Sequence, residues 1–157
     1  MKNIRLVLLG ELILIIAVFM FIVLTSLGIS SIAWFIDLPS ILVILFVLIP
    51  GLLIMGEWKD FMKAFSVGIK KFSLLELKNI IEAVGAAQKL TIYGALFAII
   101  ISGVFVLGQI NDLSKIGPNL AVCFLSGLYA VVIEFFLLPL KLNAERKMNE
   151  EMDFGDE

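Results

Sequence analysis

Four long apolar runs, residues 6–28, 38–56, 90–110 and 119–140, leave this chain few ways to fold. A helix rises about 1.5 Å per residue, so roughly 20 apolar residues cross a hydrocarbon layer of about 30 Å. Each run meets that length. Hydrophobic residues make up 61% of the chain and charged residues 17%, too little polarity to clothe a water-soluble surface of this size. The expectation is an all-α integral membrane protein with four transmembrane helices. At 157 residues it is expected to be one membrane domain with little left over for a soluble one.

The charges are segregated. Lys2 and Arg5 precede the first run, Lys59, Lys63, Lys70, Lys71, Lys78 and Lys89 separate the second from the third, and Lys141, Arg146 and Lys147 follow the fourth. Of the 12 basic residues only Lys115 falls on the other side. The positive-inside rule therefore places both termini and the middle segment in the cytoplasm, and an even number of spans agrees. The first run is too long for a signal-peptide core and lacks a convincing small-x-small cleavage site, so it reads as a retained helix. Cys123, the sole cysteine, cannot form an intrachain disulfide and reads as a small buried residue. Histidine is absent, which removes the commonest general base and metal ligand together.

Along the chain, Asp37-Leu38-Pro39-Ser40 is a helix start, Asp37 accepting from free N–H groups and Pro39 tolerated in the first turn. Trp34, in the loop before it, belongs at a headgroup belt. Pro50-Gly51 should kink or loosen the second span. Trp58, Phe61, Met62, Phe65, Ile69 and Phe72 recur at helical spacing among lysines, and Ser73-Leu74-Leu75-Glu76 is a capping-box pattern announcing another helix. Residues 57–89 thus read as a cytoplasmic helical hairpin extending spans two and three, or as helices lying on the membrane surface. Asn111, Asp112, Ser114, Gly117 and Pro118 form the turn between spans three and four. Residues 143–157 read as a helical continuation fraying into an acidic tail.

Membrane helices associate where small residues let backbones approach. Gly94, Ala98 and Ser102 make such a stripe on span three, and Cys123, Gly127, Ala130 and Glu134 another on span four. Spans three and four then either form the inner wall of an assembly, with one and two toward lipid, or pack within one four-helix bundle. Glu11 and Glu134 lie within apolar runs, on the order of 10 Å from the basic boundary at 1.5 Å per residue. Carboxylates at depth normally face protein or water and find partners. Each is either an ion or proton site or a structural hydrogen-bonding group.

Several segments resemble the MotA/TolQ/ExbB proton channel family. Phe35-Ile36-Asp37-Leu38-Pro39-Ser40-Ile41-Leu42-Val43 is similar to the opening of the second span of MotA, the ring subunit of the flagellar stator. Gly117-Pro118-Asn119-Leu120-Ala121-Val122, Leu125-Ser126-Gly127-Leu128-Tyr129 and Leu138-Pro139-Leu140 resemble its fourth span, Tyr93-Gly94 the start of its third, and Lys59-Asp60-Phe61 with Ala64-Phe65 the segment after the second. The resemblance implies a ring, commonly of five copies, in the bacterial inner membrane, whose third and fourth spans surround a MotB/ExbD-like single-span partner carrying the ion-binding carboxylate. Ser102, Ser126, Tyr129 and Glu134 are the residues expected to face the centre, with Ala98 at the family's pore position and Glu134 where the family has a small apolar residue. Gly94, Gly127 and Ala130 of the stripes are expected to pack helices. The chain departs from the family in its short 57–89 interval, which has no torque domain. It also has Ala98 where the family has a threonine, Thr91 where it has a proline, and Gly127 where it has a second hydroxyl.

The function expected is therefore a homo-oligomeric, MotA-like ring subunit of an ion-driven or ion-conducting complex. The alternative is a non-conducting scaffold ring whose lumen is closed by lipid or a partner helix. No nucleophile–base pair, metal cluster or phosphate loop is visible, so neither an enzyme nor a cofactor or metal is expected. The basic residues are accounted for by topology, so neither is nucleic-acid binding.

Overall fold

Helices alone, with no strand, make up the described residues of this computed structural model, which are 4–26, 32 and 35–153. They are α1 (Ile4–Ser26), α2 (Leu38–Ile54), α3 (Trp58–Ala64), α4 (Leu74–Gly108) and α5 (Leu113–Asp153). By length and composition α1, α4 and α5 can each cross a membrane, and α2 makes a fourth span when joined with α3. That set is compatible with a multi-pass membrane protein. Lys2, the loop residue Trp34 and the last acidic residues, 154–157, lie outside the described residues.

Local chemistry explains where the helices begin. Asp37 caps α2, its carboxylate accepting from the Ser40 N–H at 3.1 Å, with Pro39 in the first turn. Ser73 and Glu76 close a reciprocal capping box on α4: the Glu76 N–H donates to Ser73 Oγ at 3.3 Å and the Ser73 N–H to Glu76 Oε2 at 3.0 Å. The Ser73 N–H thereby holds the Glu76 carboxyl below its ordinary value, with further help from the Ser73 hydroxyl and from Lys63. Helix α2 runs on through Pro50 to Ile54, so the proline does not end it.

Past Ile54 the structure departs from the expected hairpin. Gly56 takes φ 76°, a left-handed conformation that glycine adopts without strain, and α3 leaves α2 at an angle of 110°. Helix α3 has only 7 residues, ending at Ala64, and beyond it Gly68 takes φ 90°. The helical spacing from Trp58 to Phe72 is therefore spread over a short helix and a turn: Phe61 is buried, while Met62, Phe65 and Ile69 are exposed. Residues 74–108, by contrast, form one unbroken helix of 35 residues, about 52 Å at 1.5 Å per residue. The turn before α5 is tighter than expected: Gly117 and Pro118 already lie within that helix.

Helices α4 and α5 pack along each other as the antiparallel spine. Helix α2 lies against α4, and α1 leans chiefly on α5. Gly94 makes the α2–α4 contact possible, since a Cβ there would fall 3.0 Å from the Ile44 Cα. The main core gathers at the end bearing most of the lysines, where Leu52, Phe61, Val67, Leu77, Ile80 and Leu140 meet. Burial of each such side chain stabilises by about 1.5–3 kcal/mol where the alternative is water. Toward the other end the core thins to Ile44, Ala95 and Ala130. There, where hydrocarbon is the alternative, close packing has to supply the cohesion.

Candidate functional site

Two polar features interrupt the apolar body, and α5 carries a part of each. The first is a groove of about 690 Å³ on the flank of α4 and α5, lined by Glu134, Gln88, Tyr93, Lys141, Lys89 and Glu57 among others. Glu134 lies seven residues from Lys141 along α5, about 10 Å at 1.5 Å per residue. Its Oε2 accepts from Gln88 Nε2 at 3.0 Å, while its buried Oε1 has no partner. Tyr93 is largely exposed beside it. The groove therefore offers a carboxylate oxygen, an amide, a phenol and lysine ammonium groups at the edge of the apolar zone.

The second feature is a bracket tying α5 to the start of α2. The Tyr129 hydroxyl donates to the Phe35 carbonyl at 2.7 Å and accepts from the Asp37 N–H at 2.6 Å. Ser126, fully buried, sits 3.0 Å from Ser40 Oγ and 2.9 Å from the Val122 carbonyl. Ser40 Oγ donates in turn to the Asp37 carboxylate. The cap of α2 and the middle of α5 thus form one hydrogen-bonded unit, and its strength depends on every member being satisfied.

The remaining sequence candidates divide between these features and plain packing. Gly94, Ala98 and Ser102 are buried in the chain's own interior, and Ala98 and Ser102 border a void of about 200 Å³ against Ser40 and Val43 of α2. Ala130 belongs to the thin core with Ile44 and Ala95. Gly127 has room around it, since an added Cβ would come no closer than 4.0 Å to Ile99. Cys123 directs its thiol toward the Ile99 carbonyl at 3.7 Å. Glu11 lies on the far side of α5, in a cavity with Pro139, Asn143 and Arg146, and its buried Oε2 has no partner.

Sequence reasoning missed Gln88 and the second role of Ser40. The signal for Gln88 was present. Stepping equally back along α4 and α5 from Asn111 in the turn pairs Cys123 with Ile99 and Glu134 with Gln88. No group of His, Cys, Asp or Glu among the described residues is arranged to hold a metal ion. No protein-family model, curated protein or solved structure matches this chain.

Proposed function

We propose that this chain is a MotA/TolQ/ExbB-like, ring-forming subunit of an ion-driven or ion-conducting complex in the bacterial inner membrane, with its lysine-rich end in the cytoplasm. The number of copies common in that family is five. The observation that carries this reading is the Glu134–Gln88 groove on the outer flank of the α4–α5 spine. A carboxylate and an amide facing lipid are costly, and such groups normally meet protein or water. A sister copy or a wet lumen along that flank would keep these groups from lipid. In this arrangement Glu134 forms an acidic ring near the cytoplasmic mouth, and carboxylate rings favour cations. The bulky exposed side chains of α4 and α5, such as Ile100, Val104 and Phe124, meet neighbouring copies or a single-span partner helix.

The test is ion flux across liposomes that hold the purified protein. Wild type is expected to pass protons or sodium, and Glu134→Gln to reduce the flux with assembly intact. Unchanged flux in a normally assembled variant rejects the role given to Glu134.

A specific observation favours a second reading, the non-conducting scaffold ring. Ser126 and Tyr129, the hydroxyls a lumen would use, are engaged within the chain, and Ala98 brings no hydroxyl at all. That reading expects no flux from wild type and a ring that persists without it.

A further inference from the structure

Between α1 and α5 runs a seam that the ion-path reading leaves unused. Helix α1 is largely exposed: among its described side chains Ile4 near its start and Val23 near its end are fully buried, and a face that includes Glu11, Ile15 and Phe19 is half-buried. Along the faces that α1 and α5 turn toward each other lie two cavities in line. The first, about 350 Å³, lies at the basic end, lined by Glu11 of α1 and by Asn143, Arg146, Lys147 and Glu150 of α5 among others. The second, about 580 Å³ and almost wholly apolar, follows directly along the same faces, from Leu14 to Ile22 on α1 and from Phe135 back to Leu128 on α5. Both volumes fall in the range of pockets that hold small molecules, roughly 300–1,000 Å³. A polar cavity opening into an apolar slot has the form of a headgroup site with its tail channel.

We infer that this seam binds one anionic phospholipid from the leaflet at the basic end, its phosphate at Arg146 and Lys147 and one acyl chain laid between α1 and α5. The dimensions agree. From Arg146 to Val131 is 15 residues of α5, about 22 Å at 1.5 Å per residue. Half a bilayer with its headgroup layer is about 20–22 Å. A phosphate level with Arg146 therefore sends its chain into the apolar slot near the midplane. Charge agrees as well: arginine grips phosphate through paired N–H donors, and basic pockets beside membrane helices recognise acidic headgroups. Lys147 already holds Glu150 at 3.3 Å and Glu151 at 2.9 Å, so Arg146 is the freer of the two cations. Glu11 lies deeper, where the ester linkages would pass, with an oxygen buried and unpartnered.

Native mass spectrometry tests this, on full-length protein extracted from liposomes of phosphatidylcholine and phosphatidylglycerol. The expected result is one phosphatidylglycerol retained per chain in preference to phosphatidylcholine. Arg146→Ala together with Lys147→Ala should lower that preference about tenfold or more, as loss of charge-assisted phosphate contacts implies. Val132→Trp, which fills the slot and leaves the basic pair in place, should abolish retention, with helical content checked by circular dichroism for every variant. Equal retention of the two lipids by wild type, retention unchanged in both variants, or a lipid-free mass made up of protein copies alone would overturn the proposal. None of these outcomes depends on ion flux.

Discussion

The hydroxyl of Tyr129 serves two backbone groups at once, the Phe35 carbonyl and the Asp37 N–H. Both would be left without a partner in Tyr129→Phe, and an unmet buried backbone group costs about 1–3 kcal/mol. Thermal unfolding in mild detergent should show this variant clearly less stable, and an unchanged midpoint would mean that the bracket does not hold α2 to α5. The glycines divide just as sharply. At Gly94 an added Cβ meets the Ile44 backbone at 3.0 Å, and backbone can yield only if α2 and α4 separate. Overpacking of that kind typically costs about 1–3 kcal/mol. At Gly127 the nearest atom is 4.0 Å away, and alanine favours a helix over glycine by about 0.5–1 kcal/mol. Gly94→Ala should therefore melt earlier than wild type, and Gly127→Ala no earlier. The reverse order would remove the close α2–α4 approach from this account. Both glycines lay on small-residue stripes in the sequence, and periodicity could not separate them. Which of them touches backbone depends on where α2 lies, and no local pattern encodes that.

At the scale of helices, capping chemistry was legible because it is local: Asp37 before Pro39 and Ser73 before Glu76 each bond within a few residues. The Glu76 carboxyl is held below the ordinary value of 4.5, first by the Ser73 N–H and then by the Ser73 hydroxyl and Lys63. A lowered folded-state value means that the charged form stabilises the fold above the unfolded value. That contribution fades as pH drops through the lower, folded-state value. The melting difference between wild type and Glu76→Gln should accordingly be full near neutrality and shrink once pH falls below about 4.5. A difference that stayed constant across that window would show the carboxylate adds nothing by its charge. The end of α3 was less legible. The apolar spacing runs on to Phe72, yet α3 ends at Ala64 and Gly68, in the segment beyond it, takes a positive φ. A glycine in a helical pattern is compatible with either outcome. Gln88 escaped notice for another reason: its importance appears only when α4 and α5 are folded together about Asn111.

Seen whole, the chain has an uneven build. Its packing is dense at the basic end and thin toward the other, and α1, largely exposed, rests chiefly on α5. Four apolar runs predicted the membrane class directly, since span length is set by bilayer thickness. Assembly is another matter, because association between membrane helices depends on faces that no single chain completes. Here the small-residue stripe of α4 is spent inside the chain, while the flank with Glu134, Gln88 and Tyr93 stays open. The proposed ring places that flank toward sister copies and the axis. The most direct measurement is cryo-electron microscopy of the purified particle in mild detergent, at a resolution that separates the helices. The account predicts a closed ring, five copies by family resemblance, with α4 and α5 around the axis and the Glu134 groove toward its lumen. A lone monomer, or a ring whose axis is bordered by α1 and α2, would contradict it.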